Sequence, residues 1–453
     1  MKQALGTKSA DGRAVTLLRG YFQLDELHTT VRREVIAGIT TFLTMAYIIV
    51  VNPKVLEAAG MPFGASMVAT ILSAFFGTIS MGLYANRPFG LAPYMGENAF
   101  IAYTVVGMLG YSWQTALGAI FISGVIFTIL TVMKIRGWLA SAIPQVLKIS
   151  FAVGIGLFLT FVGLRLTGFV TVGTADGAPL HVGDLASAPV LLAVAGFLVM
   201  GLLMSLRVNG AILIGILAIT FLAFVLKVAK VPASWVSAPP DPRPVLLQLD
   251  ILGALSWGGI SVILTVFVLD FVDTIGTLIG VSYKAGFLDK EGNLPEIEKP
   301  LLADALSTVV GALLGTTTGG TFIESATGIE AGGRSGLTAV VISLLFLVAL
   351  FFEPFLTAVP ACAFGPALII VGMLMFAPVV DIKFNDMTEV VPAFTTIALM
   401  SFTYNLGIGM AAGFIVYVLM KAVTGRLWEI RPGLWFLAAL SALLFVFYPY
   451  QKM

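Results

Sequence analysis

Asp270 and Asp273 stand three residues apart in VLDFVDTIGT, a stretch that is otherwise apolar apart from its threonines. That spacing puts both carboxyls near one face of a helix, and Thr274 and Thr277 continue the face, each four residues on from one acid. A polar contact between helices would be served by Thr or Asn; two acids in an apolar helix point instead to a substrate or proton path. Glu324 poses the same question in GGTFIESATGIEAGGRSG, Gly319 to Gly336, among glycines and small residues, with Arg334 near the far end. An acid at the bilayer centre costs roughly 2.5 to 3.5 kcal/mol on insertion scales, so such a residue is a candidate for function. A carboxyl held out of water beside a second acid can exchange its proton as its surroundings change, which proton coupling requires; Asp270 and Glu324 are the candidates. Asn98, in GLAPYMGENAF, has donor and acceptor groups suited to a heterocycle edge, or alternatively to capping a helix break. Its neighbour Glu97 would point away on a helix and reads as a structural partner. Asp304, Glu330 and Glu353 lie nearer span ends and read as interfacial.

Membrane spans must position these groups. The 453 residues are 58% hydrophobic and 11% charged, with a mean hydropathy of +1.01, whereas a soluble chain carries about 25% charged residues. Apolar runs of about 20 residues match a hydrocarbon core of about 30 Å. The net charge of +1 and the lack of a long basic tract argue against nucleic acid. Cys362 is the single cysteine and reads as a small hydrophobe, while His28 and His181 lie too far apart in sequence to suggest a metal site. The polar first 33 residues read as a cytoplasmic segment without a signal peptide.

The runs divide into residues 34–226, a first set of seven spans; 227–255, a proline-rich extracytoplasmic loop; 256–423, a second set of seven; and 424–453, a C-terminal segment with one further apolar run, Leu434 to Tyr448. The first span is read as closing at Asn52-Pro53. The third, Phe89 to Leu109, is interrupted by Pro93-Tyr94-Met95-Gly96-Glu97-Asn98 and reads as a broken helix. Fourteen spans with a cytoplasmic N-terminus place Arg87, Lys134, Arg207, Lys284, Arg334 and Arg426 inside, as the positive-inside rule asks.

Residues about 226 positions apart show weak internal symmetry, a sign of a transporter repeat. The shift sets GENAF opposite FIESA. Seven is odd, so the two halves enter the membrane from opposite sides, and the interrupted third and tenth spans become the pointer to a binding site.

AGITTFLTMAYIIVVNP, GLAPYMGENAFIAYT, FVDTIGTLIG and FIESATGIEAGGRSGLTAVV together resemble the AzgA-like adenine/guanine/hypoxanthine permeases of the nucleobase/cation symporter group, which share the UraA-type fold. The resemblance implies an all-α polytopic membrane protein of about fourteen transmembrane helices in two inverted seven-helix repeats. Helices one to four and eight to eleven would form a core and the rest a gate, with short strands in broken helices three and ten. It also implies that Asn98, Asp270 and Glu324 are the principal purine-binding positions and Gly96 and Asp273 accessory ones. Proton symport of adenine, guanine and hypoxanthine is expected across the cell membrane, with the proton as coupling ion, no other cofactor, and an elevator-like motion of core against gate. Glu324, Asp270 and Asp273 are the proton-coupling candidates, and Phe322 or Phe100 is suited to stack on a purine ring. Membrane lipid is the expected surrounding, and related transporters suggest a homodimer. An anion carrier of the sulfate or bicarbonate type on the same fold is an alternative, although its site should carry Arg or Lys where this one carries acids; a passive nucleobase channel is another. An enzyme is disfavoured, since no nucleophile-base set stands out and GGRSG lacks the Gly-Lys-Ser/Thr ending of a phosphate loop.

Overall fold

The computed structural model describes residue 16 and residues 18–135, 142–173, 180–288 and 294–447. The chain is mostly helical, and nine helices among the described residues are long and apolar enough to cross a membrane. The first span is two helices, α1 (Val31–Met45) and α2 (Ile48–Glu57), so it does not close at Asn52-Pro53. A proline inside a helix costs about 3 kcal/mol, and tertiary contacts hold this one. The fully buried Asn52 donates its amide to the hydroxyls of Thr70 (2.7 Å) and Thr316 (3.0 Å). The chain breaks upstream instead, at Ala46-Tyr47.

The first half continues through α3 (Phe63–Leu83), the strand β1 (Leu91–Pro93), α4 (Met95–Ala99) running into a π-helix at Phe100–Met108, α5 (Trp113–Val132) and α6 (Gln145–Leu166). A small hairpin, β2 (Val170–Val172) with β3 (Leu180–Val182), follows where sequence suggested only a polar connection. Its Val-Thr-Val and Leu-His-Val segments favour strand through their β-branched residues. Helices α7 (Ala188–Ser205) and α8 (Ala211–Val225) close this half.

The second half repeats the plan: α9 (Trp257–Ala285), α10 (Glu298–Leu314), the strand β4 (Gly319–Thr321), α11 (Ser325–Glu330), α12 (Gly336–Ala349), α13 (Ala361–Phe376), α14 (Met387–Phe402) and α15 (Leu406–Val423). The third and tenth apolar stretches are each a strand followed by a short helix, as the resemblance implied. The residual run forms a helix, α16 (Pro432–Phe447); the expected end of that run, Tyr448, lies outside the described residues.

Packing separates two bodies. In one, α3 packs on α12, α10 on α3 and α5, α9 on α5, and α1 on α12; in the other, α6 packs on α13 and α14, α14 on α15, and α7 on α8 and α13. These are the core and the gate. Without a hydrophobic drive between helices in lipid, small residues allow close approach. In the gate, a Cβ at Gly156 would lie 2.5 Å from the Gly372 carbonyl oxygen, so α6 and α13 meet backbone to backbone. Contacts between the bodies run through α4 with α6 and α9 with α15, and α16 lies against both α15 and α9.

Candidate substrate site

The site is organised by β1 and β4, one strand from each half, paired antiparallel with Leu91 opposite Thr321, Ala92 opposite Gly320 and Pro93 opposite Gly319. A broken helix frees backbone groups that must find partners in a dry interior. Here each break satisfies the other: Tyr94 N–H donates to the Thr318 carbonyl (3.0 Å) and Phe322 N–H to that of Gly90 (2.9 Å). Gly320 leaves room for the Tyr94 ring, which a Cβ there would strike.

The run Thr316-Thr317-Thr318 leads into β4. Thr316 accepts from Asn52, and the Thr317 hydroxyl donates to the Asn98 side-chain oxygen. Asn98 is fully buried, and its amide nitrogen has no partner among the described residues.

Behind the strands lie two buried aspartates. The Thr308 hydroxyl is 3.1 Å from both Asp270 Oδ2 and the Gly319 carbonyl. Thr274 donates to Asp304 Oδ1 at 2.6 Å and lies 3.4 Å from Asp270 Oδ1. Asp304 Oδ2 accepts from Thr321 N–H at 3.0 Å, which fixes β4 to α10. Asp304 is therefore not interfacial: it is fully buried and belongs to the site. The missed signal was its helical register with Thr308 and Gly311, at i, i+4 and i+7 on one face. Glu330 is exposed and Glu353 half-buried, as span-end residues should be.

Asp273 is half-buried. Thr277 donates to its carbonyl at 2.7 Å, and the Thr277 hydroxyl lies 3.2 Å from that of Tyr94. Glu324 occupies the N-cap position of α11, yet its side chain leaves that role and accepts the Tyr47 hydroxyl at 2.7 Å. Tyr47 sits at the break between α1 and α2, a position that sequence reasoning passed over. Phe322 is buried with its ring parallel to that of Tyr94, 6.3 Å between centroids and 4° between planes. Phe100 is buried at the head of the π-helix. Gly96 faces the gate, since a Cβ there would lie 2.5 Å from Ile155 Cγ2 of α6.

Glu97 departs from its expected role. It is 1% exposed, and neither carboxyl oxygen has a protein partner among the described residues. Its carboxyl lies within electrostatic reach of those of Asp270, Asp273 and Asp304. The structure thus brings Asn98, Glu97, Asp270, Asp273, Asp304, Tyr94 and Phe322 around one strand pair, while Glu324 and Tyr47 hold its α11 side. Carboxyls, an amide, hydroxyls and flat rings together suit an uncharged polar heterocycle.

Two broken spans from two halves, meeting tip to tip beside acids between a core and a gate, are the architecture of an inverted-repeat transporter fold. The sequence model described as Permease family matches residues 32–427, and the chain belongs to that family. It is 47% identical to the putative permease MJ0326 of Methanocaldococcus jannaschii, over 94% of this chain and 98% of that protein. Identity to the adenine permease AdeP of Escherichia coli is 41%, covering 95% of this chain and 96% of AdeP. Identity to the guanine/hypoxanthine permease PbuG of Bacillus subtilis is also 41%, covering 95% of this chain and all of PbuG. Among solved structures, the transmembrane domain of a cyanobacterium bicarbonate transporter, BicA, superposes with a TM-score of 0.61 at 16% identity, over 84% of this chain and 96% of that one. That likeness establishes the fold. The protein is an integral membrane permease, and its relatives are transporters rather than enzymes.

Proposed function

We propose that this permease imports purine nucleobases, adenine, guanine and hypoxanthine, by proton symport. The core carries the base past the gate in an elevator-like motion, with the N-terminus on the cytoplasmic side. The observation that carries this reading is the set of acids and the Asn98 amide gathered at the β1–β4 pair, with hydrogen-bonding atoms left open for a neutral ring. Relatives named as adenine and guanine/hypoxanthine permeases support the substrate class. Asp270, Asp273 and Glu324 are the proposed proton carriers, since each is a carboxyl within the core beside a hydroxyl or another acid. The bicarbonate-type reading is weaker because Asp, Glu, Asn, Thr and Tyr surround the strand pair, a poor cradle for an anion. Purified protein in liposomes should take up labelled purine saturably when an inward proton gradient is imposed. Uptake that neither saturates nor responds to the gradient would make it a channel, and an absence of purine flux would overturn the reading.

A further inference from the structure

Glu97 lies in the five-residue helix α4, buried on every side. Orphaned buried acceptors are rare in native proteins because each forfeits its hydration without return. This chain is able to satisfy a buried carboxyl: Glu34, equally buried, receives hydrogen bonds on both oxygens. At Glu97 both oxygens are open, the next residue in the chain has an open amide nitrogen, and three further carboxyls are close enough to interact with it. A group kept open beside the strand pair is a group kept for a ligand.

We propose that Glu97 is a substrate-contacting residue that hydrogen-bonds the polar edge of the purine six-membered ring. The proposal rests on the nucleobase reading above and adds a residue to it. Adenine presents its N6 amino group beside N1, and hypoxanthine and guanine present O6 beside N1–H, so each offers a donor next to an acceptor. A carboxyl holding a proton matches such an edge with one acceptor and one donor, as a side-chain amide does. Glu97→Gln should therefore preserve recognition and Glu97→Leu should weaken it.

The test measures purine binding to detergent-purified full-length protein by titration with adenine, guanine and hypoxanthine, alongside thermal unfolding without ligand. For Glu97→Leu the dissociation constant should rise about tenfold or more, while the ligand-free Tm is unchanged or higher, because an unsatisfied buried group has been removed. Glu97→Gln should bind within about threefold of wild type, less than one hydrogen bond's worth. A Leu variant that binds like wild type overturns the proposal. So does one whose ligand-free Tm falls, since a structural partner behaves that way, and so does a Gln variant as weak as Leu. Wild-type protein that binds none of the three bases would instead overturn the nucleobase reading, a result separable from all of these.

Discussion

Glu34 and Glu97 are both buried glutamates in the first turn of a helix, and they do opposite things. Glu34 Oε1 accepts from the Thr29 hydroxyl (2.7 Å) and Arg334 N–H (2.9 Å); Oε2 accepts from Ser335 N–H (3.2 Å) and the Thr338 hydroxyl (2.6 Å). It pins the start of α1 to the turn before α12, and its negative charge complements the helix N-terminus. Glu97 pins nothing. Burial alone therefore does not separate these two acids; the count of donors around each does. Asp270 and Asp304 stand between these extremes, since hydroxyls and a backbone N–H hold them in place while their neighbours Glu97 and Asn98 keep atoms open.

The sharpest way to break this contrast is to neutralise acids on each side of it. Asp270→Asn and Glu324→Gln should each lower gradient-driven purine uptake in liposomes by at least ~10-fold, the worth of one charge-assisted hydrogen bond, with Tm near wild type. Uptake at wild-type rates in both variants would remove these residues from the transport path. Glu34→Ala should do the reverse. It strands two backbone N–H groups and two hydroxyls, at a cost of about 2–4 kcal/mol, so Tm falls, while the KM of the protein that remains folded is unchanged. A raised KM at unchanged Tm would place Glu34 among the functional acids.

The smallest expected effect comes from a third kind of acid, one outside the spans. Asp386 caps α14, and the Thr388 hydroxyl and N–H, with the Arg426 guanidinium 2.7 Å away, hold its carboxyl down from 3.8 to about 2. A carboxyl depressed in the folded state stabilises above its ordinary value and loses that contribution as pH falls through the depressed one. Unfolding temperatures measured between about pH 5 and about pH 2 should thus decline more steeply for wild type than for Asp386→Asn. Parallel curves would show that this half-buried pair contributes nothing, the usual fate of ion pairs at the surface.

Much of the architecture could be read in advance because hydropathy writes it directly. Long apolar runs separated by prolines and charges gave most helices to within a few residues, and glycines flanked by polar residues marked both broken spans. Reading failed where a partner distant in the chain decides the outcome. Asn52-Pro53 looked like a helix end, and Thr70 and Thr316 keep it helical. Asp304 looked interfacial because it lies near a span end, and Thr274 and Thr321 show it to be interior. Successive helical residues point about 100° apart, so Glu97 turns away from Asn98; because α4 is enclosed all round, turning away still leads inward.

The pairing of β1 with β4 also bears on how the protein is made. Each strand is three residues long, and its hydrogen-bonding partner is in the other half of the chain. While only the first half has left the ribosome, Tyr94 N–H, the Gly90 carbonyl and the Asn98 side-chain oxygen have none of the partners they later find at Thr318, Phe322 and Thr317. Closing so long a loop must precede any of those bonds. The candidate site is therefore a late product of biogenesis, formed only after the second half has inserted. Truncated chains that reach the membrane carry every residue of the first broken span and no site.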